Sequence, residues 1–133
     1  MALTEERTRQ LATLEPTDAI PRRTMFELLI AWAVLFPIAA ALEPTAAAEH
    51  VPLWGVLVSA ALFASLGAAV TGLVQRKRWG IGASLAASSM FTLGVFLCPA
   101  TGHHLMGLWW FGELAAAAAL LVVSATAFVR RDG

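Results

Sequence analysis

Residues 53–97 read LWGVLVSAALFASLGAAVTGLVQRKRWGIGASLAASSMFTLGVFL. The triplet Arg76-Lys77-Arg78 divides this stretch into two long runs, neither of which contains an ionisable side chain. An uncharged apolar run of about 18 residues or more reads as a transmembrane helix, because in hydrocarbon a helix satisfies its own backbone hydrogen bonds. The stretch therefore predicts a helical hairpin, with one span over 53–74, a basic turn, and a second span over 79–97. Within the second span Gly80, Ser84, Ser88 and Thr92 recur at every fourth residue, a small, weakly polar stripe that permits close helix contact.

The same criterion, carried outward, finds two more spans. Upstream, Thr24 and Glu27 have capping-box spacing for a helix over 25–42, just long enough at about 27 Å to cross the hydrocarbon core, with Pro37 inside it. Downstream, residues 105–129 form a long final span containing Trp109, Trp110, Glu113 and the run Ala115 to Ala119. Residues 43–52 and the Cys98 to His104 segment are the opposite turns. The expected fold is all-α: a polytopic membrane protein with a four-transmembrane-helix up-down bundle over 25–129, an N-terminal arm over 1–24 and a tail over 130–133. Thr4, Glu5, Glu6, Leu11 and Leu14 allow a short amphipathic helix in the arm.

Composition agrees. The 133 residues are 59% hydrophobic and 14% charged, with a formal net charge of zero, whereas soluble domains carry about 25% charged residues. All nine Lys and Arg residues fall in the arm, the 76–78 turn or the tail. The positive-inside rule then predicts a multi-pass plasma-membrane protein with both termini cytoplasmic.

Function is less legible. Without a basic, aromatic-interleaved surface there is no support for nucleic-acid binding, and the lone Cys98 makes neither an internal disulfide nor a Cys-x-x-Cys pair. No catalytic motif is assembled, so the chain is expected not to be an enzyme by itself. Glu113 is the leading functional residue. A carboxylate within a span needs a proton, a hydrogen-bond partner or water, so it either couples protons or cations or joins its helix to a neighbour. Trp109 and Trp110, one turn earlier, are candidate walls of a substrate pocket. A metal site at the outward face would draw on His103, His104, Cys98, Glu49 and His50, although adjacent histidines point in different directions. Otherwise no cofactor is expected. Glu43 and Glu49 are expected to be solvated loop acids whose outward location would help attract a cation if a cavity opened between them.

Three functional readings follow. The first is a small accessory or assembly subunit of a larger membrane complex, whose partners are lipids and other integral membrane subunits. The second is a homodimeric proton- or cation-coupled small-solute transporter using Glu113, with a second copy of the chain as partner. The third is a metal- or haem-binding redox component.

Overall fold

Pro21 decides where the first helix starts. Its backbone is extended (φ −58°, ψ 141°), and its carbonyl accepts the first helical bond from Met25 N at 3.1 Å. In the computed structural model, which describes residues 19–44, 52–102 and 106–131, helix α1 therefore runs Arg22–Leu42. Thr24 then lies inside the first turn, and no side chain caps the helix. The expected Thr24–Glu27 capping box is thus replaced by an ion pair between Arg23 Nε and Glu27 Oε1 at 2.7 Å. The amphipathic helix expected in the arm lies outside the described residues.

Three further helices follow: α2 (Leu53–Val74), α3 (Arg78–Ala100) and α4 (Leu108–Arg130). At about 1.5 Å per residue, helices of 21 to 23 residues are about 32–35 Å long, and all four are apolar enough to cross a bilayer. They form an all-α bundle consistent with a polytopic membrane protein. Along α1, Leu28, Trp32 and Ala39 are buried, while Phe26, Ile30, Val34 and Ile38, at every fourth residue, are about half exposed. In water such an outer stripe would be a liability, but in lipid it is the surface the solvent requires.

Each helix packs on its neighbours in the order α2, α3, α4, α1; the α1–α2 seam that would close the ring is slight. Residues 19–21, the α2–α3 turn and the end of α4 meet at one end, called here the terminal face. The seven described Lys and Arg residues all lie in or beside segments at this end.

The terminal half is tightly knit. A Cβ on Gly80 would lie 2.5 Å from the Gly72 carbonyl carbon, and one on Gly72 would lie 2.5 Å from the Gly80 Cα, so α2 and α3 touch backbone to backbone. Helix α2 ends in a Schellman turn: Lys77 N donates to Gly72 O at 2.8 Å, and Arg76 N to Leu73 O at 2.9 Å. Arg76 occupies the left-handed position usually filled by glycine (φ 57°), at a cost of about 1–2 kcal/mol. Its guanidinium offsets this by donating twice to Ile20 O, at 3.0 and 2.9 Å, while Ile20 N donates to Arg76 O at 2.9 Å.

Near the middle of the bundle a polar chain crosses three helices. Trp32 Nε1 donates to Ser84 Oγ at 2.9 Å, and Ser84 Oγ lies 2.9 Å from Ser124 Oγ. The predicted small-residue stripe is therefore a contact surface, with Gly80, Ser84 and Ser88 buried.

A further boundary difference concerns Cys98 and Pro99, which belong to α3 and not to the turn after it. Proline lacks the N–H that would bond Val95 O, but Trp110 Nε1 from α4 donates to that carbonyl at 2.9 Å. The helix thus continues to Ala100 and stops at Gly102, whose φ is +71°. Helix α4 begins at Leu108, after Gly107, and has 23 residues rather than the 25 of the predicted span.

Candidate functional site

At the end opposite the terminal face, the helices part around a crevice made of two adjoining cavities of about 160 and 180 Å³. Five residues line both: Glu43, Val58, Ser59, Gly94 and Cys98. The outer cavity reaches Pro52 and Trp54 at the start of α2, and the inner one reaches Glu113. Glu43 is supplied by the C-cap of α1, where the chain turns to extended backbone. Val58 and Ser59 project from α2, Gly94 and Cys98 from α3, and Glu113 from α4.

Glu113 is 6% exposed. It lies on the buried face of α4, one turn after Trp110 and one turn before Ala116 and Ala117, which are also buried. Because α4 starts at Leu108, Glu113 stands about 8 Å along the axis from the helix start, shallower than a start at residue 105 would place it. No hydrogen bond or ion pair reaches its carboxyl group among the described residues. Every fully sealed side-chain nitrogen or oxygen in the described structure does have a partner, so the Glu113 oxygens face the cavity.

Below the crevice is an aromatic floor. Phe91 and Leu62 line the inner cavity and also pack on the central cluster of Trp32, Ala87 and Leu120. Phe36 meets Phe91 edge-on at 5.5 Å between ring centroids, and Phe63 at 6.3 Å. The Trp32–Ser84–Ser124 chain belongs to the same tier, since Trp32 is in that cluster.

The other residues singled out in the sequence are distributed differently. Trp110 is buried, bonds Val95 O, and packs edge-on against Phe96 and Phe111 at 6.0 and 5.3 Å. Trp109 packs against the cluster of Val95, Trp110 and Ala117. Val95 belongs both to that cluster and to the crevice wall. His103, His104, Glu49 and His50 lie outside the described residues. Among the described residues no three His, Cys, Asp or Glu side chains are placed to hold a metal ion.

Sequence reasoning missed the grouping of Glu43, Ser59 and Cys98 with Glu113. The available signal was that Glu43 and Cys98 sit at helix ends on the same side of the membrane as Glu113. Known family models, curated proteins and solved structures yield no match to this chain.

Proposed function

We propose that this chain binds a small organic cation in the crevice and that Glu113 is the group that recognises its charge, the first step of a solute-transport cycle. The observation that carries this reading is the Glu113 carboxyl, buried within the bundle, without a partner among the described residues and open to a cavity. A cationic ligand would answer its charge. Glu43 at the crevice wall adds a second attraction. The rest of the lining favours an organic cation over a hard metal ion: Val58, Leu62 and Phe91 offer apolar contact and a ring face, whereas calcium takes about six to eight oxygen ligands. Each cavity lies below the roughly 300–1,000 Å³ of drug-sized sites and the two together reach only its lower edge, so the ligand is of alkylammonium size. The aromatic floor makes the crevice a one-sided entrance, and release on the other side requires Phe36 and Phe91 to move apart.

Titration calorimetry of the chain in nanodiscs with methyl- to butylammonium tests this. Saturable binding is expected, and Glu113→Gln should weaken it at least about tenfold while retaining the bundle, since truncating a buried charge pair costs about 2–5 kcal/mol. Unchanged affinity in Glu113→Gln would remove Glu113 from the site.

The one-sided placement of Lys and Arg supports a cytoplasmic terminal face and an outward crevice. A reporter fused after residue 77 should then read cytoplasmic; an external reading would reverse the direction of entry. The accessory-subunit reading draws support from a different feature. Helix α2 buries only Ala69, Gly72 and Leu73, and its seam with α1 is slight, so a helix from another subunit or a second copy would fit there. Gentle purification should then yield a stoichiometric partner that cross-links through α2; a monomer alone would count against it.

A further inference from the structure

The terminal face carries a second, larger opening, of opposite charge. A cavity of about 470 Å³ is lined by Arg78 from the start of α3, by Arg130 and Arg131 from the end of α4, and by Thr24, Ile20 and Ile81. Its volume falls in the range of roughly 300–1,000 Å³ typical of small-molecule sites. The Arg131 guanidinium is held over the Phe128 ring, 3.5 Å from its centroid. Among the described residues neither Arg78 nor Arg130 is paired with a carboxylate.

This cavity adjoins a second, of about 200 Å³, with which it shares the lining residues Thr24, Ala127 and Arg130. The second cavity occupies the seam between α1 and α4, where Leu28, Val122 and Val123 make its walls apolar. Val123 lies seven residues before Arg130, about 10 Å deeper along the helix axis. Glu27 also lines this groove, with Arg23 at 2.7 Å answering its charge.

We infer that this double cavity binds an anionic phospholipid, its headgroup phosphate among Arg78, Arg130 and Arg131 and an acyl chain in the groove between α1 and α4. The charge selects a phosphate: guanidinium groups pair with phosphate oxygens through parallel N–H bonds, and basic pockets between transmembrane helices suit anionic headgroups. The groove selects a lipid over a free phosphate, because an inorganic ion leaves the apolar walls beside Leu28 and Val123 unfilled. The site is independent of the crevice, since no residue lines both.

The test is native mass spectrometry of the full chain, delipidated in detergent and then offered phosphatidylglycerol and phosphatidylcholine in equal amounts. One phosphatidylglycerol per chain should be retained preferentially. The pair Arg78→Gln and Arg130→Gln should lower that preference about tenfold or more, in line with about 1 kcal/mol per basic group at an anionic surface. Arg78→Lys with Arg130→Lys should restore part of it. Arg22→Gln with Lys77→Gln removes the same charge from the same face outside both cavities and should leave the preference intact; an equal loss there would reduce the effect to general surface charge and overturn the site. Val123→Trp fills the groove and should lower retention of the lipid. Full retention in that variant, or displacement of the lipid by millimolar inorganic phosphate, would identify a phosphate site and overturn the lipid assignment. If the Gln pair loses its helical circular dichroism, the Val123→Trp and Lys variants decide the matter.

Discussion

The two halves of the bundle are made from the same apolar composition and are held together differently. Toward the terminal face, glycine backbones touch at Gly72 and Gly80, Arg76 is tied to Ile20, and Ser84 links Trp32 and Ser124. Toward the opposite face the same helices enclose a crevice, and Glu113 has no protein partner among the described residues. Lipid tails are as apolar as leucine, so burying apolar surface gives little reason for transmembrane helices to prefer one another over lipid. Close backbone approach and interhelical hydrogen bonds supply that reason. At the Gly72–Gly80 seam this chain has the close backbone approach and two helices are shut together, whereas beside the crevice the Trp110–Val95 hydrogen bond ties α4 to α3 and still leaves room for a ligand.

Helix α3 offers the strongest way to break the comparison, because one substitution can be made in both halves. Gly80→Ala places a methyl 2.5 Å from the Gly72 carbonyl carbon, backbone against backbone with no side chain to swing aside. A loss of about 3 kcal/mol is expected, the upper part of the overpacking range. At Gly94, by contrast, nothing lies within 4 Å of the added methyl, and alanine should leave stability unchanged or raise it by up to about 1 kcal/mol through helix propensity. Reversible unfolding in mixed micelles, followed by circular dichroism, measures both. Equal losses at the two positions would show that the halves do not differ in packing.

A smaller effect is expected from Ser84→Ala, which removes the shared partner of the Trp32 indole and the Ser124 hydroxyl. The loss should be about 1–2 kcal/mol, with donors left buried on two other helices. Glu113→Gln in the outer half should cost less than about 1 kcal/mol in the same assay, because it breaks no hydrogen bond among the described residues. A larger loss at Glu113 than at Ser84 would assign Glu113 a structural role.

The finest comparison is at Trp110, where the effect is read as a difference between two backgrounds. Trp110→Phe leaves Val95 O without its indole donor and should cost about 1 kcal/mol. In a Pro99→Ala background that cost should shrink to a few tenths, since the restored backbone N–H serves the same carbonyl. Additive losses in the double variant would show that the two groups do not share an acceptor.

The helices were legible from uncharged apolar runs, and α2 was expected and found over the same residues, 53–74. The other boundaries moved where local chemistry competed with hydropathy. Pro21 started α1 early, and the Trp110 bond let α3 continue through Pro99. Glu113 was legible as an out-of-place charge. Its crevice was not, because which helices flank α4 depends on contacts such as Gly72 against Gly80, and a sequence displays the stripe without naming its partner. The double cavity at the terminal face was hidden for the same reason. Arg78 and Arg130 were visible as charges, but their convergence is a property of helix order.

The exchange at Val95 also constrains how this sequence can change. Pro99 removes one donor to the Val95 carbonyl and the Trp110 indole supplies another, so the two positions are coupled through one acceptor. That coupling gives the order of substitutions a direction. Losing the tryptophan first exposes the carbonyl, whereas losing the proline first leaves the tryptophan dispensable. The two positions behave as a ratchet, and viable variants of this chain should reach a non-aromatic residue at 110 by way of a non-proline at 99.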